Sequence, residues 1–275
     1  MRPLSPEEQQ IAMMLNMHAQ YKEERANPAK FDRNKPYNKL PLLSALSLAS
    51  LELPRFEGNI RELAVMASHL EGVVPSASLL EEMLRNEARY SNQIESIANC
   101  DDGGLRAAWA VPFSQGFDPA YITQLSACIT PDCIGVRKPK KNRVTRLVYR
   151  GTVEYTPPST SAAINRLLAD LLAFEQTCYP LSFWLKSALM HGQYEAIHPL
   201  FDGNGRSGRL ILNKQLMAGL KTTVPFQLSE AIMDTRSLYY DALNAPRLKN
   251  DQVFALDYFI QMFTQALNDT LNQCC

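Results

Sequence analysis

Apolar residues recur at helical spacing along most of the chain, and this pattern predicts a mainly α-helical protein. The predicted helices cover residues 60–70, 160–178, 181–197, 210–220, 229–243 and 253–271. The segment 181–197 is apolar around most of the helix surface, which is typical of a buried central helix. The last segment is amphipathic, with one face expected to lie against the core.

Two further regions have to be considered separately from these helices. The start Ser5-Pro6-Glu7-Glu8 predicts a helix that runs to about Ala26, followed by a polar, proline-marked arm. We therefore treat residues 1–40 as an N-terminal piece and 41–275 as the main domain, with its core over about 160–265. Residues 101–131 are predicted to be irregular, because Gly103-Gly104 and prolines interrupt them, apart from a short helix after Pro119.

β character is concentrated in residues 143–155, which are rich in Val, Thr and Tyr and predict a hairpin. A basic loop, 135–143, precedes it. A functional role for its cations and simple solvation of an exposed sheet edge explain them equally well. Upstream, a helix over about 77–98 is predicted to begin at a Ser76 or Ser78 cap.

Composition narrows the classes of protein only modestly. The chain has 275 residues, 46% of them hydrophobic, and its formal net charge is zero, which favours neither nucleic acid nor membrane as a general partner. Its six cysteines form no CxxC pair, and no signal core or long apolar run is found, so we expect reduced thiols in a cytoplasmic protein.

The densest cluster of reactive groups lies between the two most apolar helices, in the stretch His198–Arg209 (HPLFDGNGRSGR). Its proline and Gly-Asn-Gly run predict a loop whose backbone can turn several N–H groups into one anion nest. A helix is expected to begin near Arg206, with its N-terminus aimed at the same place. Arg206 and Arg209 would share a face of the first turn, where a polyphosphate would offset their opposition to the helix dipole. A plain turn with surface arginines is the alternative explanation.

This stretch resembles the signature of the Fic family, H-x-F-x-D/E-G-N-G-R-x-x-R, whose members transfer AMP from ATP to protein hydroxyls. The matching residues are His198, Asp202, Gly203, Asn204, Gly205, Arg206 and Arg209. Leu200 departs from the motif, because the family has an aromatic packing anchor at that position. The resemblance implies a Fic-type helical bundle with a β-hairpin flap at about 136–155, where a target segment would add as a strand.

Two other segments carry the same resemblance. The run Ser91-Asn92-Gln93-Ile94-Glu95-Ser96 is similar to the family's inhibitory motif, S/T-x-x-x-E-G/N, and departs from it at Ser96. Ser91 and Glu95 lie one helical turn apart, so the alternative is an ordinary solvated helix face. The pair Tyr239-Tyr240 resembles the segment that lines the adenosine site, although a core aromatic pair explains it as well.

The resemblance also implies a role for each matching residue. His198 would be the general base, Asp202 would hold Mg²⁺ or Mn²⁺, and Glu95 with Ser91 would inhibit. The expected ATP-binding residues are Gly203, Asn204, Gly205, Arg206, Ser207, Gly208, Arg209 and Tyr239. The co-substrate would be ATP, and the partner a protein with a Ser, Thr or Tyr hydroxyl.

Two other functions stay open on the sequence alone. The chain could transfer another phosphate-containing group or remove AMP, and the intact G-N-G-R-x-x-R motif favours AMP transfer. From another class, it could be a nucleotide-binding interaction module without activity, against which the presence of both His198 and Asp202 argues. Self-modification, a homo-oligomer and the identity of the target also stay open.

Overall fold

The computed structural model describes residues 42–97, 102–113, 115–139, 147–149, 152–155, 157–249 and 251–274. The helix and arm predicted for residues 1–40 lie outside the described residues, as does much of the predicted hairpin. Within the described part, no helix has the length and hydropathy needed to cross a membrane.

The described chain is mainly α-helical, and the predicted fold class is confirmed to that extent. Short 3-10 turns at Leu43–Ala45, Leu48–Leu51 and Leu53–Phe56 lead into the first helix. The helices are α1 Glu57–Ser68, α2 Ala77–Ile94, α3 Gly103–Ala110, α4 Pro119–Ile129, α5 Ser161–Gln176, α6 Phe183–Ile197, α7 Asn204–Gly219, α8 Leu228–Asp234, α9 Arg236–Lys249 and α10 Gln252–Cys274. Two short strands, β1 Leu147–Tyr149 and β2 Thr152–Tyr155, pair antiparallel.

Helix α6 lies at the centre of the bundle, as its apolar sequence predicts. It packs against α5, α7, α9 and α10, and it buries Trp184, Tyr194 and Ile197 almost completely. The Ser182 hydroxyl caps its first turn by accepting a hydrogen bond from the Leu185 N–H at 3.2 Å. Because α6 ends at the motif loop, the most rigid part of the fold positions that loop.

Helix α2 packs across α7 and α8, and its Glu87 side chain forms hydrogen bonds to both helices. Its N-terminus is capped by Ser76, whose hydroxyl accepts from the Leu79 N–H at 3.2 Å. Midway along it, the buried Glu87 carboxylate accepts hydrogen bonds from the Ser229 N–H at 2.8 Å and from Asn213 at 3.2 Å. Burial raises the pKa of Glu87 to about 7. With α2 held against α7 and α8, its C-terminal end lies beside the motif loop.

Residues 103–110 are helical, so the prediction of an irregular segment there was wrong. The helix α3 begins at the two glycines that suggested a break. A Cβ on Gly104 would lie 2.6 Å from the backbone oxygen of Cys128, so a side chain there would prevent α3 from packing on α4. Gly104 is therefore explained by a close approach between two helices.

Other helix boundaries also differ from the predictions. The single helix predicted over 229–243 is two helices, α8 and α9, separated at Thr235. The Thr235 hydroxyl bonds the Ala231 carbonyl at 2.9 Å and the Tyr258 hydroxyl at 3.0 Å, and this local bonding competes with helix continuation. Helix α7 begins at Asn204 rather than near Arg206, and α2 ends at Ile94 rather than at residue 98.

Candidate active site

A cavity of about 80 Å³ opens at the junction of α2, α6 and α7. Its lining consists of Glu95, His198, Phe201, Asp202, Gly203, Asn204, Gly205 and Arg206. A smaller cavity of about 30 Å³ on another side of α6 is lined mostly by aliphatic residues and includes neither an imidazole nor a carboxylate. Of these two cavities, the one at the motif loop is therefore the candidate active site, because it is lined by an imidazole and carboxylates.

His198 follows the last residue of α6 and has a left-handed backbone, with φ 49° and ψ 60°. This conformation turns the chain out of the helix, and it is unfavourable for a residue with a Cβ by about 1–2 kcal/mol. The side chain is half-buried at the cavity. Burial, together with the positive charges of Arg247 and Arg137, lowers the pKa of His198 to about 3. The imidazole is therefore neutral at physiological pH and can accept a proton.

Asn204 shapes the loop through its side chain. Its Oδ1 accepts from the Leu200 N–H at 2.7 Å, and its Nδ2 donates to the Leu200 carbonyl at 3.0 Å. Leu200 is buried, at 1% exposure, so it fills the anchoring position where the Fic signature has an aromatic residue. The aromatic residue here, Phe201, is 58% exposed and lies at the cavity.

The first turn of α7 faces the cavity with its positive end. Gly203 precedes it with φ 79°, a conformation that glycine adopts without strain. The Gly203 N–H donates to Asp202 Oδ1 at 2.7 Å, and the Arg206 guanidinium lies 3.3 Å from Asp202 Oδ2. The Asp202 side chain is 67% exposed and the Arg206 side chain only 8%, so the carboxylate is the accessible partner.

Arg209 is buried one turn further along α7, and α2 supplies its partners. Its Nε donates to the Ser91 hydroxyl at 3.0 Å, and its NH2 donates to the Ser91 carbonyl at 2.9 Å. The same NH2 lies 3.0 Å from Glu95 Oε1, in an ion pair whose arginine side chain is 1% exposed and whose glutamate side chain is 32% exposed. Burial alone would lower the pKa of Arg209, but the Glu95 carboxylate raises it.

The Glu95 carboxylate also lies directly against Gly205. A Cβ placed on Gly205 would collide with Glu95 Oε1, so the carboxylate occupies the space beside the backbone of the first helical turn. Helix α9 holds the end of α2 in this position. The Tyr240 hydroxyl donates to the Ile94 carbonyl at 3.2 Å, and Arg236 donates to the Ser96 hydroxyl at 2.7 Å.

Ser96 ends α2 in a left-handed conformation, with φ 60°. The Ile97 N–H reaches the Asn92 carbonyl at 3.1 Å and the Ser96 N–H reaches the Gln93 carbonyl at 2.9 Å, which is the Schellman arrangement that glycine favours. This geometry explains why glycine or asparagine suits the position, which serine fills here.

We expect Ser96→Gly to raise the free energy of unfolding by about 0.5 kcal/mol, because relief of the left-handed strain exceeds the loss of one exposed hydrogen bond. Urea denaturation measures the change. The control is Ser96→Ala, which loses the hydroxyl but keeps the strain and should be less stable than the parent. A glycine variant no more stable than the alanine variant would contradict this explanation.

Four of the predicted ATP-binding residues are not among those that line the cavity, and one of them is Arg209, whose contacts are given above. Ser207 is fully buried and its hydroxyl lies 2.8 Å from that of Tyr194. A Cβ on Gly208 would collide with the Glu195 carboxylate, so this glycine lets α7 pack closely on α6. Tyr239 is 1% exposed, and its hydroxyl lies 3.0 Å from His191 Nε2 in the core. The geometry of Tyr239 is that of the core aromatic pair, which was the alternative explanation.

The structure also brings residues to the site that sequence reasoning passed over. Arg137 was grouped with an exposed basic loop, yet it is 1% exposed and bonds the His198 carbonyl. Glu195 is buried on α6, and burial raises its pKa to about 7. A glutamate within an otherwise apolar helix was the one signal available for Glu195, whereas nothing in the loop distinguished Arg137 from its basic neighbours.

Comparison with known proteins agrees with this geometry. Residues 117–216 match the model of the Fic/DOC family, a segment that includes α4, the paired strands, α5, α6 and the motif loop. Over these residues the chain is therefore similar to the Fic/DOC family, as the motif predicts.

One curated relative and two solved structures illustrate the similarity. A probable protein adenylyltransferase of Aquifex aeolicus is 34% identical over 98 residues, which is 35% of this chain and 29% of that protein. Fic-1 from C. elegans is 16% identical with a TM-score of 0.58, over 80% of this chain and 72% of that one. A Fic domain containing signaling protein of Bacteroides thetaiotaomicron is 17% identical with a TM-score of 0.53, over 78% and 98%. At these identities the two structures show a shared fold.

Proposed function

We propose that the chain is a protein adenylyltransferase that transfers AMP from ATP to a hydroxyl of a target protein and is inhibited by its own helix α2. The observation that carries this proposal is the cavity in which His198, Asp202 and the first turn of α7 converge on the Glu95 carboxylate. A site for a polyphosphate needs donors, cations and a proton acceptor, and all three are present.

The triphosphate would bind at the N-terminus of α7. The helix dipole and its unsatisfied first-turn N–H groups favour an anion there, and the space left beside the backbone by Gly205 is bordered by the Glu95 carboxylate and the Arg209 guanidinium. Arg206 lies at the same cavity, and Arg209 would bind the terminal phosphate once Glu95 leaves it. The buried arginine already faces an oxygen anion, so one anion would replace another.

Asp202 fits a Mg²⁺ ion that is shared with a nucleotide. Its carboxylate is exposed at the cavity, and carboxylate oxygens are the ligands that Mg²⁺ prefers. The described residues contain no cluster of three or more His, Cys, Asp or Glu that could bind a metal, which agrees with an ion that takes its other ligands from phosphates and water. When bound, the ion would neutralise phosphate charge.

In the transfer step, His198 would accept the proton of the target hydroxyl. The target hydroxyl oxygen forms a bond to the α-phosphorus, the bond between that phosphorus and the bridging oxygen breaks, and pyrophosphate leaves with the electron pair. An imidazole nitrogen of His198 takes the hydroxyl proton. Its lowered pKa keeps the imidazole free to do so, and the negative charge of a bound nucleotide would raise that pKa toward a more effective range.

The β1–β2 hairpin is proposed to align the target by adding one of the target's segments as a strand. The exposed Phe201 at the cavity offers the target an apolar contact beside the reacting hydroxyl. Self-modification is a special case of this arrangement, in which a hydroxyl of another copy of the chain reacts.

Labelling of protein by α-labelled ATP tests the proposal. The parent and Glu95→Gly are incubated with Mg²⁺ and a cell lysate, and the label is followed on gels and by mass spectrometry. We expect AMP on a hydroxyl side chain in the presence of Glu95→Gly. Nucleotide binding without any labelled protein would identify a binding module instead, and label that appears only in a parallel reaction with γ-labelled ATP would identify a phosphotransferase.

We expect Asp202→Ala to reduce transfer at least tenfold in the Glu95→Gly background, because the nucleotide loses its metal-binding carboxylate. Excess EDTA should silence the Glu95→Gly protein, and Mn²⁺ should restore part of its activity, since both ions take oxygen ligands. Asp118→Ala provides the control, because it removes a partly exposed carboxylate that caps α4 and does not line the cavity. Full activity in chelator would contradict the metal assignment.

A further inference from the structure

Arg137 is buried to 1% exposure although it lies beside a run of lysines and arginines in the sequence. An arginine is seldom buried so completely unless its charge and its donors have partners. The partners that the structure describes for it include four backbone oxygens, three of which lie at the end of α6.

Three hydrogen bonds connect Arg137 to that end, and a fourth reaches the Pro158 carbonyl ahead of α5. Its Nε donates to the His198 carbonyl at 2.6 Å, and its NH2 donates to the Ile197 carbonyl at 3.3 Å and to the Pro158 carbonyl at 2.8 Å. Its own backbone N–H donates to the Pro199 carbonyl at 2.7 Å. Arg137 thus binds three successive carbonyls, which include two at a helix C-terminus where the helix itself provides no donors.

This set of contacts surrounds the strained residue of the site. The left-handed conformation of His198 is unfavourable on its own, and such a conformation persists only where its surroundings enforce it. The Tyr194 carbonyl accepts from the His198 N–H at 2.9 Å, and Arg137 fixes the carbonyls on both sides of the His198 backbone. The direction of the imidazole follows from that backbone, because rotation at φ and ψ moves the Cβ.

We propose that Arg137 is a positioning residue for the transfer reaction: its guanidinium holds His198 in the left-handed conformation that aims the imidazole into the cavity. The inference rests on the proposed function for its kinetic consequence. Through the Pro158 carbonyl, the same guanidinium also joins the segment after β2 to the loop that carries His198. Arg137 contacts neither the cavity lining of α7 nor Asp202 in any of these bonds, so nucleotide binding should not need it.

The kinetic test uses Arg137→Gln and Arg137→Lys in the Glu95→Gly background. The lysine variant keeps the charge and can reach one carbonyl, so it also serves where the glutamine variant folds poorly. We expect kcat to fall about 30-fold for Gln and about threefold to tenfold for Lys, with the KM for ATP within about threefold of the parent. This separation of kcat from KM distinguishes positioning from a general loss of structure.

A matched control is available on α6, the helix whose end Arg137 binds. Lys186 on α6 also binds carbonyls at a helix end, those of Glu175 at 2.8 Å and Thr177 at 2.9 Å, but at the C-terminus of α5. Lys186→Gln should lower the melting temperature as a lost helix-end contact does and leave kcat within about threefold. An equal loss of kcat in Lys186→Gln and Arg137→Gln would overturn the proposal, as would an unchanged kcat in Arg137→Gln.

A second measurement does not depend on activity. Diethyl pyrocarbonate modifies neutral imidazoles, and peptide mass spectrometry reports its rate at His198 separately from the rate at the buried His191. We expect Arg137→Gln to raise the rate at His198 at least fivefold relative to His191, and Lys186→Gln to leave the ratio unchanged. An unchanged ratio in Arg137→Gln overturns the proposal. A raised ratio in a chain that never transfers AMP supports the positioning role and rejects the proposed function instead.

Discussion

His198→Ala is expected to lower AMP transfer at least a hundredfold in the Glu95→Gly background, while ATP affinity stays within about threefold of the parent. A general base contributes about 10²–10⁴-fold in rate, and the imidazole would touch the proton of the target hydroxyl rather than the phosphates. Initial rates of label transfer and equilibrium binding of a fluorescent ATP analogue measure the two quantities.

The control for this variant is His69→Ala, which removes an exposed imidazole at the C-terminal end of α1. It should transfer AMP at the parent rate. If His198→Ala keeps more than a tenth of the parent rate, His198 is not the base. If it loses rate and ATP affinity together, the imidazole contributes to nucleotide binding.

The pH dependence offers a second check on His198. Only the neutral imidazole accepts a proton, so kcat/KM falls as the pH drops through the pKa of the free enzyme. Burial and the charges of Arg247 and Arg137 lower that pKa to about 3, compared with about 6.5 for an exposed histidine. We therefore expect the acid limb of kcat/KM to lie below pH 5, and a limb near pH 6.5 would contradict this environment for His198.

The loop and the buried helices around it could be predicted because their signals are local. Proline and glycine that cluster, as they do in the motif loop, favour a break between helices, and the apolar character of 181–197 requires burial whatever packs against it. The family signature then added roles for the residues of the loop. Leu200 illustrates both points, because it departs from the signature yet is buried as an apolar anchor.

The features that could not be predicted depend on contacts between distant parts of the chain. The helix that begins at Gly103 exists because α3 packs closely on Cys128, and the break at Thr235 involves a hydroxyl of α10. Neither partner is visible from the local pattern. Arg137 is the strongest case, since its partners follow it by about 60 residues and its neighbours suggested an exposed loop.

Ser91 and Glu95 could be predicted only in part. Their spacing on one helix face is local information, but it cannot say which residue they meet. The structure places both against Arg209, the second arginine of the motif, which lies more than 110 residues away in sequence. Whether this contact inhibits is a question of activity.

Glu95→Gly is expected to raise AMP transfer at least tenfold over the parent. The Glu95 carboxylate occupies the guanidinium proposed for the terminal phosphate and the space beside Gly205, so ATP must displace it to bind productively. An ion pair between a fully buried arginine and a partly exposed glutamate is worth more than the ~0.2–1 kcal/mol of a surface pair. About 1.4 kcal/mol is enough for a tenfold change in rate.

The substitution should leave the fold intact, and this makes the test specific. Position 95 follows the last residue of α2, so glycine interrupts no helical turn, and Arg209 keeps both of its hydrogen bonds to Ser91. Removing a different carboxylate from the same helix, in Glu82→Ala, provides the control and should not activate. Arg209→Ala should not activate either, because it removes the inhibitory contact and the phosphate ligand together. Equal rates for Glu95→Gly and the parent would contradict inhibition by α2.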